Sequence, residues 1–375
     1  MRKEKAILEF SKDIFEEYKR KNAVTIRNIS TVLIEAAKGP AFVNESCKST
    51  EEISKSQIIY RKLGMSINDV EFAFRENAKR FLNLLKIFSR GRKFILSFDE
   101  TEDPFYGEFD KTEDNLYLHE LTYSVKGAKY CYKYLTLAIT CNEGIRYILD
   151  GIILRRGDFV EDYVYEMIKN VKNNINIECV LFDRGFGWGI IYKLKELNVN
   201  YVIFWKKSGE WYKEHFDNMD EGGFCTIHKS YSYNRDKTNY CVDSDFILIK
   251  QLDYKGKKFD WIFATNLKFK SAEKYVKWYK KRWGIETIFR VTDDIRIYTT
   301  STNPIIRYFL FMFTCFVYNV WKFFQFFLGE SFTLANFCIN LNKFMVERKM
   351  INPNNYRKFI SIFTRYNALN KQIER

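Results

Sequence analysis

Proline and glycine are scarce: the 375-residue chain holds 4 Pro and 17 Gly. That leaves little material for long disordered linkers. Paired cysteine spacing is absent. Eight Cys occur and none forms a C-x-x-C pair. Cys225, His228 and Cys241 come nearest to a metal pattern, yet no fourth ligand stands close by in sequence. A zinc module is not expected, and reduced thiols are the default. A secretory leader is not expected either, since Met1-Arg2-Lys3-Glu4-Lys5 runs on into mixed polar residues, and a cytoplasmic location is the expectation. Acidic residues are outnumbered: 61 Lys and Arg face 47 Asp and Glu, a net charge of +14. Such an excess favours a polyanionic partner, either nucleic acid or an anionic membrane surface.

What is abundant is apolar and aromatic. Hydrophobic residues make up 46% of the chain and aromatics 18%, with 35 Phe and 25 Tyr. This is enough for a sizeable core, and the length suggests two or three domains. Most of the aromatics belong in that core, and some are available to stack on bases.

Residues 1–90 read as helical, with stretches at Ile7–Tyr18, Ala23–Ala37, Thr50–Leu63 and, after a Ser66 cap, on to Phe88. Gly64 would end the third of these. Short helices around such a turn suit either a helix-turn-helix, with Lys55, Arg61 and Lys62 toward DNA, or a helical cap on the following domain. From Lys93 the pattern changes to strands at Phe94–Phe98, Leu121–Val125, Tyr130–Thr140 and Tyr147–Leu154. Helix and strand then alternate: Phe159–Asn173, Glu178–Phe182, Gly189–Leu197, Tyr201–Trp205. This order implies an α/β (α+β) fold with a mixed sheet flanked by helices. Residues 206–270 are polar and strand-rich, and interrupt that order. Ile305–Leu328 is long and apolar enough to suggest a membrane span. Arg307, Asn319, Lys322 and Gln325 interrupt it, and a core helix fits better. Leu334–Arg375 reads as a basic helical tail.

The chemistry concentrates in Tyr275–Arg296, YVKWYKKRWGIETIFRVTDDIR. At 100° per residue, Tyr279, Arg282, Glu286 and Asp293 share a helical stripe about 60° wide, with Arg290 beside it. Trp278, Ile285, Ile288 and Phe289 would anchor that face on a core. Upstream, two apolar runs lead into Asp99 and Asp183. Two strand-end aspartates and one helix glutamate suit a two-metal phosphoryl-transfer site, because Mg²⁺ needs a few hard oxygen ligands on rigid elements. Glu100, Glu102 and Asp103 beside Asp99 read as a solvated turn.

The ordered motifs Asp99, Asp183-Arg184-Gly185-Phe186 and Tyr279-x-x-Arg282-x-x-x-Glu286 resemble the DDE transposases of prokaryotic insertion sequences. The likeness is to the group with a Tyr-Arg-Glu-Lys signature, and it extends from about Arg92 to about Phe327. Asp293 stands where that signature has its Lys, and Arg290 is the nearest substitute charge. The resemblance implies an RNase H-like catalytic domain in two parts, 91–205 and 271–330. A helical N-terminal region at 1–90, a β-rich insertion at 206–270 that helps hold the element end, and a tail at 331–375 complete the layout. It further implies that Asp99, Asp183 and Glu286 hold Mg²⁺ or Mn²⁺, two ions in all, and that Arg282 and Tyr279 bind phosphate. Double-stranded DNA is the implied partner, at element ends and at the target, with a homodimer in the synaptic complex and no membrane. The alternatives are an RNase H-like nuclease without strand transfer, an inactive DNA-binding descendant of a transposase, and a membrane-associated protein.

Overall fold

The computed structural model describes residues 23–88, 91–109, 114–140, 145–208, 210–235, 237–254, 256–328 and 333–346. The helix expected at Ile7–Tyr18 and the tail beyond residue 346 lie outside them. At the centre is one nine-stranded mixed sheet. Its strands run β2 (Leu118–Val125), β3 (Ala128–Thr140), β1 (Lys93–Phe105), β5 (Asn176–Phe182), β6 (Tyr201–Phe204), β9 (Lys257–Thr265), β8 (Thr238–Tyr254), β7 (Phe224–Arg235). A further strand, β4 (Arg146–Ile153), pairs with β3 on the same side as β2. Only the β1–β5 and β5–β6 pairs are parallel; all others are antiparallel. This is the mixed sheet flanked by helices that the order of elements called for.

The parallel strands need crossovers, and two helices supply them: α5 (Val160–Lys172) before β5 and α6 (Trp188–Glu196) before β6. Their buried faces are apolar at helical spacing, with Val164, Met167, Ile168 and Val171 on α5 and Ile190, Ile191 and Leu194 on α6. Phe182 and Phe98 stack across β5 and β1 at 5.1 Å between ring centroids.

The N-terminal segment forms α1 (Ala23–Lys38), α2 (Val43–Thr50), α3 (Ser56–Leu63) and α4 (Ile67–Phe88). A helix beginning at Thr50 was expected; Thr50 instead closes α2, and Glu51 takes a left-handed conformation with φ 55°. The acidic pair after Thr50 suggested a first turn, but Glu51 N–H closes the preceding helix on the Cys47 carbonyl. The Ser66 cap holds: Ser66 Oγ accepts from Asp69 N at 3.2 Å, and Asp69 Oδ2 accepts from Ser66 N at 2.8 Å. This reciprocal arrangement satisfies two orphan donors. α4 packs on β4, where Phe81 stacks on Tyr147 at 3.5 Å and Arg75 pairs with the buried Asp150 at 2.8 Å.

Residues 206–270 form β7, β8 and β9 with a short helix, α7 (Lys213–Asp217). Because β9 pairs with β6, these strands extend the central sheet. Arg235 at the end of β7 pairs with Glu161 and Asp162 at the start of α5. Cys225, His228 and Cys241 form no metal group; His228 Nδ1 lies 2.8 Å from Asp245 instead.

After β9 come α8 (Ala272–Tyr279), α9 (Trp283–Asp293), α10 (Pro304–Leu328) and α11 (Leu334–Val346). α10 is the one helix, among the described residues, long and apolar enough to cross a membrane, and 67% of its most apolar window is buried inside the fold. Its polar Asn319 is 3% exposed. The side chain accepts from Ile148 N at 2.9 Å and donates to Ile148 O at 2.7 Å. The amide thus pairs with the backbone of β4, which is what a core helix against a strand requires and a lipid-facing helix does not.

Candidate active site

β1 is longer than its apolar run. Phe94–Phe98 is buried, but the strand continues through Asp99 to Phe105, paired with β3 along the whole acidic stretch. Asp99 therefore lies inside a strand. What ends near it is the pairing with β5, whose last partners are Ser97 and Leu181. The expected solvated turn at Glu100–Asp103 is strand as well. Glu102 pairs with Lys133 on β3 at 3.0 Å. Asp103 receives Arg296 and Arg307, the latter at 3.1 Å. Cross-strand and interhelical cations offset the charge that made this stretch look like a loop.

Asp183 directly follows the last residue of β5, as expected. Arg184 N donates to its Oδ1 at 2.8 Å, and Phe186 turns back onto Phe182 at 5.0 Å. The loop is thereby anchored with Asp183 41% exposed at the side chain.

The signature helix is not one continuous α-helix. α8 ends at Tyr279, residues Lys280–Arg282 form a 3-10 turn, and α9 begins at Trp283. The tighter turn comes just before a close approach: a Cβ placed on Gly284 would meet Thr140 Cβ at 2.9 Å. Glycine lets α9 lie directly on β3, whose Thr140 hydroxyl in turn bonds Ser97 on β1 at 2.7 Å. Tyr275, Val276, Ile285 and Ile288 are buried beneath these helices, while Trp278 and Phe289 are half-buried.

The three acids converge on one guanidinium. Arg282 is 3% exposed. Its Nη1 lies 3.8 Å from Asp99 Oδ1, its Nη2 lies 3.3 Å from Asp183 Oδ2, and Nη2 also binds Glu286 Oε1. Tyr279 Oη accepts from Arg282 Nε at 3.2 Å and donates to Asp183 Oδ1 at 3.0 Å. So Tyr279, Arg282, Glu286, Asp183 and Asp99 come together from β1, β5 and the signature helices. Asp293 and Arg290 do not join them. Asp293 stands 67% exposed near Arg296, and Arg290 is exposed.

The electrostatics follow from this packing. Burial pushes Asp99 up to about 7; Arg282 opposes the shift, while Glu286 and Asp183 add to it. Burial raises Tyr279 well above the usual phenol range. For Arg282 burial works the other way, and Tyr279, Asp183, Asp99 and Glu286 outweigh it to hold the guanidinium charged. One positive charge faces three carboxylates, so the cluster is short of cationic charge. Its donors are all hard carboxylate oxygens on packed elements, which fits a divalent cation such as Mg²⁺ or Mn²⁺. As the side chains stand, no group of three His, Cys, Asp or Glu among the described residues is close enough to hold an ion; the guanidinium lies between them.

Sequence reasoning missed two features. Arg282 was expected to face a phosphate, yet the i, i+3 and i, i+4 spacing of Tyr279, Arg282 and Glu286 already allowed a mutual contact. The Asp103–Arg296–Arg307 cluster was also missed. It ties β1 to the segment after α9 and to α10, beside a cavity of about 250 Å³ also lined by Phe42, Tyr106 and Tyr298. The alternation Asp99, Thr101, Asp103 on one strand face was its only signal.

Residues 160–319 match the family model described as the transposase DDE domain. The matched segment contains Asp183, Tyr279, Arg282 and Glu286 and leaves Asp99 outside. No curated protein matches the chain in sequence. Among solved structures the chain is similar to the piggyBac transposase synaptic complex with hairpin DNA, at 14% identity and a TM-score of 0.53, over 91% of this chain and 76% of that one. At that identity the likeness concerns the fold. The family match covers less than half of the chain, and the shared fold agrees with it.

Proposed function

We propose that Asp99, Asp183 and Glu286 are the catalytic carboxylates and hold two divalent metal ions, Mg²⁺ or Mn²⁺, during strand cleavage and strand transfer. The observation that carries this reading is the convergence of three acids from β1, the end of β5 and α9 on one buried guanidinium, a cluster in which one positive charge faces three carboxylates. When bound, such ions supply Lewis-acid stabilisation of the scissile phosphate and of the attacking and leaving oxygens.

The chain's own residues do the rest. Asp99 and Asp183 are fixed by neighbouring strands, so their relative placement is rigid. Glu286, 52% exposed at its side chain, closes the site from the helix. Tyr279 orients Asp183 through its hydroxyl and fixes Arg282 through Nε. Water serves as the first nucleophile and a DNA 3′-hydroxyl as the second, so no covalent bond between protein and DNA is needed.

The substrate in this reading is the end of a mobile element of the prokaryotic insertion-sequence kind, bound as duplex DNA by two protomers. The net charge of +14 supports a DNA partner. So does the similar fold of the piggyBac transposase, known in a synaptic complex with hairpin DNA. The segment 206–270, which holds β7–β9, and the helices on either side of Gly64, α3 and α4, are the proposed DNA-holding elements, with Lys206, Lys207 and Lys229 in the first, Lys55 beside α3 and Arg61 on it.

The test is cleavage of labelled DNA carrying the element's own end in Mg²⁺, in Mn²⁺ and in EDTA, beside Glu286→Gln. Metal-dependent nicking at the element boundary, lost in the variant, is the expected result. Cleavage in EDTA, or by the variant at the wild-type rate, overturns the assignment. Nicking without joining to target DNA leaves the nuclease reading.

A further inference from the structure

We propose that Arg282 is the resident counter-cation of the acidic triad: its guanidinium holds the three carboxylates together before metal arrives and is displaced from among them when metal enters. This rests on the reading that Asp99, Asp183 and Glu286 bind metal.

The geometry supports displacement over coexistence. Each acid presents an oxygen to the same planar group: Asp99 Oδ1 to Nη1, Asp183 Oδ2 and Glu286 Oε1 to Nη2. An oxygen that coordinates Mg²⁺ sits about 2.1 Å from the ion. The ion must draw these oxygens inward, into the space where the guanidinium now lies. Arg282 is nearly free of solvent, so its charge is strongly felt there. Two cations competing for one set of carboxylates oppose each other, and the coupling is reciprocal. The arrangement also explains how three acids pack together without metal: a buried cation replaces the repulsion that would otherwise spread them. Tyr279 holds the Nε side of the guanidinium only, leaving Nη1 and Nη2 committed to the acids.

The proposal separates Arg282 from an ordinary structural pair by a thermodynamic cycle. Full-length protein without DNA is melted in EDTA and in saturating Mn²⁺, and Mn²⁺ affinity is measured by calorimetry, for wild type, Arg282→Gln and Arg282→Lys. In EDTA, Arg282→Gln is expected to melt about 2 °C or more below wild type. In saturating Mn²⁺ the two are expected to coincide, because the ion has taken over the neutralising role. Mn²⁺ should bind Arg282→Gln roughly tenfold or more tightly than wild type. Arg282→Lys keeps the charge without the fork and should fall between.

A melting gap of the same size in EDTA and in Mn²⁺ overturns the proposal, since the guanidinium then stays in the loaded site. If Arg282→Gln folds only with Mn²⁺, the proposal stands. If it folds in neither condition, Arg282→Lys carries the comparison, and an unchanged gap there overturns it. Glu286→Gln distinguishes the two levels. Loss of Mn²⁺ binding in Glu286→Gln together with a persistent Arg282 gap removes the displacement alone. Wild-type Mn²⁺ binding by Glu286→Gln removes the metal site itself, and the proposal with it.

Discussion

The hydroxyl of Tyr279 donates to Asp183 Oδ1 across 3.0 Å, joining the end of α8 to the end of β5. The two residues are 96 positions apart, and their bond sets the loop after β5 against the end of α8, one 3-10 turn before the helix that carries Glu286. Removing only this oxygen tests how much the orientation matters. Tyr279→Phe should lower the single-turnover cleavage rate about 10- to 100-fold, the usual scale for a partner that orients a metal ligand. Its melting temperature should change little by comparison, because the ring remains packed on Phe204 and Phe263. A wild-type cleavage rate would show that Asp183 is positioned by the strand alone.

Neutral replacements of the acids should separate chemistry from folding. Asp99→Asn, Asp183→Asn and Glu286→Gln are each expected to lower cleavage about 1,000-fold or more, since each removes one of the carboxylates proposed to hold metal. Circular dichroism should remain that of the wild type. Asp99→Asn should be at least as stable as wild type in EDTA at pH 8, because burial penalises ionised Asp99.

The pair Arg75–Asp150 should give the fold a pH dependence of its own. Burial pushes Asp150 up to about 6, and Arg75 opposes the shift. Its folded pKa therefore exceeds the unfolded value of about 4, and the folded state holds the proton longer. The sign follows: this group's contribution is fully present below about pH 4 and falls as pH rises toward 6. Arg75→Met removes the counter-ion, so the fall should steepen and extend to higher pH. At pH 7.5 the loss should be about 2 kcal/mol, below the range for a fully buried pair because the Arg75 side chain is 30% exposed. At pH 5 the loss should be smaller, and equal losses at the two pH values in urea titrations would contradict the account.

Two glycines should respond differently to alanine. At Gly284 the new methyl group meets Thr140, a β-branched residue on a central strand, at 2.9 Å. Gly284→Ala should cost about 1–3 kcal/mol as an overpacked contact and also impair cleavage, because α9 carries Glu286. At Gly151 the methyl meets Met312 Sδ at 2.7 Å, the far end of an unbranched side chain. Gly151→Ala should cost less and leave cleavage near wild type. Thermal melts and cleavage rates of the two variants check both statements.

Asn319→Leu keeps the size of the side chain and removes both bonds to Ile148. Two buried backbone groups on β4 would lose their partner, at a cost of about 2–4 kcal/mol. A stable, fully folded Asn319→Leu protein in urea titration would show that β4 finds other partners.

Local pattern determined much of this molecule. The turn between the expected strands Leu121–Val125 and Tyr130–Thr140 is present, with Gly127 at φ 82°. The helices after β4 and β5 begin and end within a residue or two of their expected bounds, because their apolar spacing and turn residues agree with the fold they join. The order Asp99, Asp183, Glu286 was legible too, since each stands beside an apolar segment of clear period. What the sequence by itself left undecided depended on partners far along the chain. Glu100–Asp103 reads as a turn until Lys133, Arg296 and Arg307 arrive to neutralise it. Residues 206–270 read as an interruption until β9 pairs with β6 and makes them part of the central sheet. A helical wheel places Arg282 and Asp293 on one face, but only the close approach of Gly284 to Thr140 decides that Arg282 is buried among the acids while Asp293 stays outside. Periodicity reports which face of an element is apolar; the charge a buried carboxylate meets is set by elements that only the folded chain brings together.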